Sequence, residues 1–304
     1  HSGVPQGSVL GPLLFIIFTS DLFKGLNGKF FCYADDATLM MTIESPAQRQ
    51  SVCDDLNEDL SKISDWCRRW GMKINPAKSK SMIISRSRTP LPLHGNLILQ
   101  GDTVSNCNDL SILGVKLDKT LSFESHVRDL VSTASQRLGL LRKSFKVFED
   151  NSVSASCLRA FVLPLLEYCA PVWSSAAATH LSLVDRVFKS ANALCGGSVH
   201  CNLSHRRDVS KLCMFFKILS NTHHPLVNCV IEDNSLKIKN PSRITRQSLN
   251  IHPLSFVERP FRTEQFRRSF WNSCLSLWNK LDFDTCNAQS VDSFKKRVNR
   301  ALIF

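Results

Sequence analysis

Lys29-Phe-Phe-Cys-Tyr-Ala-Asp-Asp-Ala-Thr-Leu-Met-Met-Thr-Ile43 is the stretch that decides the fold of this chain. Two β-rich apolar runs, Lys29 to Cys32 and Ala37 to Ile43, flank Tyr33-Ala34-Asp35-Asp36. Short apolar runs separated by turn-tolerant residues predict a β-hairpin. Side chains alternate across a strand, so such a ribbon can bury its flanks while its tip meets solvent. The tip then carries two adjacent carboxylates. Adjacent carboxylates suit hard cations that take oxygen ligands, Mg²⁺ above all, and that chemistry is typical of two-metal phosphoryl transfer. An Asp-Asp pair that simply makes a good turn is the other reading of the tetrad.

Upstream, His1-Ser-Gly-Val-Pro-Gln-Gly-Ser-Val-Leu-Gly-Pro12 leads into the apolar run Leu13 to Phe18. Gly3-Val-Pro-Gln-Gly-Ser-Val-Leu-Gly-Pro12 followed by Tyr33-Ala-Asp-Asp36 resembles two successive palm motifs of reverse transcriptases, those of jockey-like non-LTR retrotransposons above all. Trp70-Gly-Met-Lys-Ile-Asn-Pro-Ala-Lys-Ser79 resembles the next palm motif. Ile112-Leu-Gly-Val-Lys-Leu-Asp118, with Leu121-Ser-Phe123 and His126-Val127, resembles the primer-grip segment. Leu166-Glu-Tyr-Cys-Ala-Pro-Val-Trp173, Arg206-Arg-Asp-Val209 and Phe270 to Asn279 resemble the region that follows the polymerase in these elements.

The resemblance implies an RNA-directed DNA polymerase that extends a primer 3′-end on an RNA template with dNTPs, using two Mg²⁺ ions or alternatively Mn²⁺. It makes Asp35 a ligand to both cations and Asp36 the weaker ligand. Lys78 matches the lysine that assists pyrophosphate departure, or is a surface lysine after Asn75-Pro76. Pro5, Gln6 and Gly7 would line the template and nucleotide pocket. Glycine suits close approach of a backbone, and the amide of Gln6 can both donate and accept; a helix-entry turn is the alternative. Tyr33 either stacks near the primer end or fills its strand. Leu113 and Gly114 would belong to the primer-grip hairpin.

The same resemblance puts the fingers and a further catalytic aspartate N-terminal to Gly3, and the sequence opens at His1. The expectation is therefore the C-terminal part of a polymerase, inactive alone. Asp21 follows the motif and is not the missing ligand. A non-catalytic nucleic-acid-binding remnant of a retroelement is the rival reading.

Composition bounds the rest. The chain has 304 residues, 43% of them hydrophobic, which excludes a disordered tail. Its net charge is +12, unevenly spread. Residues 1–60 hold 3 basic and 8 acidic side chains, whereas residues 61–304 hold 35 and 18. An acidic end and a basic remainder suit a polyphosphate held beside a cation site; a generally basic solvated surface is the alternative. The 12 cysteines form no C-x-x-C pair, which points to buried thiols in a reducing compartment and away from a secreted disulfide scaffold. The family resemblance implies a protein inside the cell, nuclear and cytoplasmic as a ribonucleoprotein and not secreted. Cys195, His200, Cys201 and His205 cluster, but their spacing suits structural zinc poorly, and Gly196-Gly197 reads as a helix end. Leu13 to Phe18 is far shorter than the ~20 residues that span a bilayer, so no membrane is expected; it reads as a buried palm helix.

The fold class read from this pattern is α+β. Ser45-Pro46 starts a helix whose apolar positions Val52, Leu56, Leu60, Ile63, Cys67 and Trp70 recur at helical spacing up to Gly71. Ser81 to Ser85, Leu97 to Leu99 and Ile112 to Leu117 read as strands of a sheet covered by helices. Residues 1–120 are expected to form a partial palm. Residues 121–221 are expected to form a helical, thumb-like region, with helices from Phe123, over Cys157 to Tyr168 with a break at Pro164, Leu181 to Leu194, and Val209 to Leu219. Arg128, Arg137, Arg142, Lys143 and Lys146 face either a nucleic-acid duplex or water. Residues 222–304 read as a loop-rich linker to about 262, then terminal helices.

Overall fold

A computed structural model describes residues 3–4, 7–85, 87, 92–145, 151–199, 202–221, 224, 226 and 252–301. The expectations for Pro5, Gln6, Lys146, His200, Cys201 and most of the 222–262 linker concern residues outside that set. The architecture is α+β, and the chain divides into two compact units, residues 1–110 and 111–304.

The first unit opens with α1 (Gly11–Phe18), then the hairpin β1 (Lys29–Tyr33) and β2 (Asp36–Met40). A capping box at Ser45, with Gln48 reciprocating, starts a short 3-10 turn that runs into α2 (Arg49–Arg69). Gly71, at φ +69°, stops that helix where the sequence places its end. Ile63, Trp66 and Cys67 on one face of α2 form the buried centre of a small core, with Leu22, Leu26, Phe30, Met72 and Ile74 packed against them.

Two expectations for this unit are corrected. Among the described residues, three separate two-stranded ladders stand here, with a fourth at residues 109–118, in place of a single covered sheet. β3 (Lys80–Ser81) is the only part of the Ser81–Ser85 run to pair; its parallel partner β6 (Ser105–Asn106) ends where the Cys107 amide donates to the Ser81 carbonyl. Between them β4 (Ile98–Leu99) and β5 (Asp102–Thr103) form a tight hairpin, its turn residues Gln100 and Gly101 both left-handed. The second correction concerns α1, which is a helix but not a buried one. Gly11 alone in it is buried, and Ile16 and Ile17 are 63% and 60% exposed. A helix apolar all round has no single face to bury. Phe18 meets Trp66 and Trp70 edge-on at 5.5 and 5.6 Å, and most of the helix beyond it stays bare.

The run Ile112–Leu117 is not one strand. β7 (Asp109–Ile112) turns at Leu113 and Gly114, both at positive φ, into β8 (Val115–Asp118). The second unit continues with α3 (Glu124–Phe145), α4 (Asn151–Phe161), α5 (Leu163–Glu167), α6 (Ala170–Trp173), α7 (Ala178–Ala193) and α8 (Leu203–Ser220). The break expected at Pro164 falls two residues earlier, at Val162, because proline is accepted at the start of a new helix. Val127, Leu158, Leu166, Trp173 and Val184 centre one buried cluster.

Beyond residue 262 come α9 (Glu264–Arg268), α10 (Phe270–Trp278), α11 (Phe283–Cys286) and α12 (Val291–Ala301). α10, α11 and α12 share a second cluster with α8. Phe216 and Phe294 stack at 4.4 Å, and Phe215 meets Trp278 edge-on at 5.3 Å.

Candidate active site

The β1–β2 register pairs Lys29 with Met40, Phe31 with Thr38 and Tyr33 with Asp36. Side chains alternate, so Phe30 and Leu39 share the half-buried face toward α2. Phe31, Tyr33, Asp36 and Met40 share the outward one. Ala34 and Asp35 form the two-residue turn. Ala34 takes φ +51°, the left-handed value that primed hairpin turns require at their first position. Asp35 and Asp36 are both exposed, and Tyr33 is 67% exposed. The tip thus presents a phenol and two carboxylates to solvent. Their field reaches back along the ribbon: burial pushes the Cys32 thiol up, and the charges of Asp35 and Asp36 push it further.

What holds the ribbon was not anticipated from the sequence. Asp59, fully buried on α2, accepts from the backbone amides of Asn27 at 2.9 Å and Gly28 at 2.8 Å, fixing the turn that launches β1. Two backbone donors on one ionised carboxylate make a charge-assisted clamp. The only sequence clue is an acidic residue one position before the apolar Leu60 on an amphipathic helix. Asp21 also has a structural partner, accepting from the Trp66 indole at 2.9 Å.

Lys78 ends a 3-10 turn, Pro76–Lys78, whose N-cap Asn75 accepts from the Lys78 amide; the ammonium is exposed. Among the described residues no hydrogen bond or ion pair joins it to either aspartate. Gly7 sits at φ +80° with nothing within 4 Å of where a Cβ would stand, so its backbone conformation alone selects glycine. Pro5 and Gln6 lie outside the described residues.

In the second unit, Leu113 and Gly114 form the β7–β8 turn at φ +47° and +81°. Tyr168, between α5 and α6, donates its hydroxyl to the Leu113 carbonyl at 2.7 Å, and its ring lies 3.4 Å from where a Cβ on Gly114 would be. The Tyr168 carbonyl accepts from the buried Trp173 indole at 2.7 Å. A hairpin turn is thus tied through one tyrosine to a fully buried tryptophan. The sequence contains both partners, 55 residues apart, and nothing local connects them.

Of the basic residues on α3, Arg128 pairs with Glu124 and Arg137 donates to the Phe161 carbonyl; Arg142 and Lys143 are exposed. Among the described residues no group of three or more His, Cys, Asp and Glu is arranged to hold a metal. Burial pushes the Cys195 thiol up, and the His205 ring is 3.2 Å from the Asn299 amide oxygen, so both have other surroundings. No helix among the described residues is long and apolar enough to cross a membrane.

The exposed carboxylate pair lies on a hairpin turn within residues 1–117, which match the family described as reverse transcriptase (RNA-dependent DNA polymerase). The chain is similar over this region to RNA-directed DNA polymerases of jockey-like, non-LTR transposons. It is 31% identical over 185 residues to a probable RNA-directed DNA polymerase from transposon BS of Drosophila melanogaster, covering 57% of this chain and 19% of that protein. It is also 31% identical over 201 residues to the RNA-directed DNA polymerase from mobile element jockey of Drosophila funebris, covering 60% and 20%. A probable polymerase from the X-element of Drosophila melanogaster is 29% identical over 61% of the chain and 21% of that protein. The chain spans about a fifth of the length of these curated relatives. No solved structure matches it.

Proposed function

We propose that the chain contributes the catalytic hairpin and the following helical region of a retrotransposon enzyme that extends a DNA primer on RNA. The observation that carries this reading is the exposed tip Tyr33–Asp36, within residues that match the reverse transcriptase family. Reverse transcriptases work with divalent cations. Asp35 and Asp36, hard oxygen donors open to solvent on one turn, fit such ions; Mg²⁺ is the cation of choice, with Mn²⁺ able to replace it. When bound, the cations would acidify the primer 3′-hydroxyl and offset the triphosphate charge.

The chain's own residues do the rest by positioning. Tyr33, on the same face as Asp36, stacks beside the primer end. Lys78 supplies a proton or counter-charge to the departing pyrophosphate. Pro5, Gln6 and Gly7 line the nucleotide and template side. Leu113 and Gly114, held by Tyr168, grip the primer backbone, and the helices after β8 serve as the thumb, their exposed cations Arg142 and Lys143 facing the nucleic acid.

We further infer that these 304 residues alone do not extend a primer. Two cations need several anionic ligands, and adjacent carboxylates on one turn cannot surround both. Primer extension on an RNA template with Mg²⁺ or Mn²⁺ tests both statements. The 304-residue chain is expected to be inactive. A longer protein that carries it is expected to be active and to lose extension with Asp35→Ala. Extension that survives Asp35→Ala in the longer protein overturns the catalytic assignment. A second reading, a nucleic-acid-binding remnant without chemistry, draws on the excess of basic residues after position 60; a longer protein that binds RNA yet never extends a primer would establish it.

A further inference from the structure

The terminal helix α12 is amphipathic in a particular way. Val291, Phe294, Val298 and Ala301 turn inward to the cluster shared with α8. The opposite surface carries Lys295, Lys296, Arg297 and Arg300, all exposed, with Asp292 its one acidic residue. Among the described residues no carboxylate pairs with Lys295, Lys296 or Arg300. On α3, Arg128 by contrast is already paired with Glu124.

Neighbouring elements extend this surface on both sides. Toward α8, the exposed Lys217 and Lys295 flank the Cys213 thiol: burial pushes that thiol up, and both ammoniums pull it back, against Asp292. Toward α11, Arg297 donates to the Asp284 carbonyl, which sets the guanidinium beside the residue that follows Phe283. Phe283 is 43% exposed, although α11 buries Thr285 and Cys286 immediately after it. An uncovered aromatic ring therefore stands at the edge of a cationic strip.

We propose that Phe283, Lys296, Arg300, Lys295 and Lys217 form a platform for single-stranded RNA, separate from the polymerase hairpin. Basic side chains along a groove or ridge hold successive phosphates, and an exposed ring takes an unstacked base. Lys296 and Arg300 lie one turn apart, about 6 Å along the helix axis, so they can serve neighbouring phosphates of one strand. A duplex offers no free base face to Phe283, which selects a single strand. The RNA assignment rests on the function proposed above, in which the template is the single-stranded polymer and the primer end is paired.

The test uses the 304-residue chain with three fluorescent probes of one sequence: single-stranded RNA, single-stranded DNA and an RNA–DNA duplex. The variants are Lys295→Ala/Lys296→Ala/Arg300→Ala, Phe283→Ala and, for comparison, Arg142→Ala/Lys143→Ala. All replace exposed side chains, and an unchanged thermal unfolding curve verifies folding. The triple variant is expected to weaken RNA binding at least tenfold and to lower the slope of log affinity against log salt by about 2, since each phosphate contact on a single strand contributes about 0.7. Phe283→Ala is expected to weaken RNA binding about fivefold or more at unchanged salt slope, and to leave duplex binding unaltered. Single-stranded DNA should follow RNA, because stacking and charge do not read the 2′-hydroxyl. A triple variant that binds RNA like the parent, while Arg142→Ala/Lys143→Ala loses binding, overturns this inference and leaves the polymerase reading standing. An equal loss of duplex binding in Phe283→Ala also overturns it. A parent chain without affinity for any probe sinks both.

Discussion

In the first unit apolar surface lies open. Val9 is 94% exposed, Leu10, Leu13 and Leu14 are bare beside it, and three buried residues of α2 centre the small core. In the helical unit Trp173, Phe215, Phe294 and Leu158 are sealed, and two clusters run through nearly every helix. The two units are thus held in different ways. The carboxylate hairpin is placed by a few specific polar contacts, Asp59 first among them, whereas the Leu113–Gly114 turn is placed by a packed core acting through Tyr168. Perturbations should follow that division: packing changes should dominate in one unit, and single hydrogen-bonding groups in the other.

The largest effect is expected for Trp173→Ala. The side chain has no exposed surface and its indole donates to Tyr168. Large-to-small changes at such aromatic sites cost about 3–5 kcal/mol. Chemical denaturation followed by peptide-resolved hydrogen exchange should show residues 111–220 opening and residues 29–69 unaffected. If the hairpin amides of β1 and β2 lost protection to the same extent, the units would not be independent. A gentler version sharpens the point: Tyr168→Phe removes one bond to the Leu113 carbonyl and should cost about 1 kcal/mol, read as faster exchange confined to residues 109–118.

Asp59→Ala comes next. It leaves the part-buried Asn27 and Gly28 amides without their acceptor, and an unsatisfied donor that water cannot reach costs about 1–3 kcal/mol. A loss of about 3 kcal/mol is expected, localised to β1, β2 and α2. A loss under about 0.5 kcal/mol would mean that apolar contacts hold the hairpin after all.

These two residues also show what the sequence could and could not reveal. The hairpin, the Gly71 stop, α3, α7 and α8 were legible because each is written locally, in strand runs, a left-handed glycine or helical spacing. The acidic tip was legible for the same reason. Asp59 and Tyr168 were not, since their partners lie 31 to 55 residues away and neither residue type is unusual where it stands. The bare surface of α1 was misread because an apolar run predicts burial without naming what covers it. The residue pattern ran the β7–β8 turn into one strand, because Leu113 adopts a backbone conformation that leucine seldom takes, whereas the family resemblance had placed Leu113 and Gly114 in a hairpin.

A smaller effect distinguishes the units by pH. Burial holds the His126 imidazole below its ordinary value; Asp129 opposes this and Lys116 adds to it. Its Nδ1 accepts from the Lys116 amide at 3.3 Å, which a proton there would forbid. With the folded pKa below the unfolded 6.5, the unfolded chain binds more protons in the interval between them. The stabilisation is present above pH 6.5 and is lost as pH falls through the folded value. Urea midpoints of the helical unit should therefore drop between pH 7.5 and 5.5, and His126→Gln should flatten most of that slope. An unchanged slope in the variant would assign the pH dependence to another group.

The smallest effect should appear at the Ala34–Asp35 turn itself. Ala34 stands at φ +51°, where a Cβ crowds the following carbonyl at a cost of roughly 1–2 kcal/mol. Glycine adopts this conformation freely but gives the unfolded chain more freedom, which offsets about 0.5–1 kcal/mol. Ala34→Gly is therefore expected to stabilise the β1–β2 hairpin by about 0.5 kcal/mol, slowing exchange of its amides by about twofold. The sign is what matters. In a unit held by packing, trading a methyl group for hydrogen is a loss; in a ribbon whose tip lies in solvent, the methyl packs on nothing and only the backbone is felt. Faster exchange in Ala34→Gly would show that the alanine side chain supports the turn, and the contrast between a packed unit and a contact-held hairpin would then fail at the residue beside Asp35.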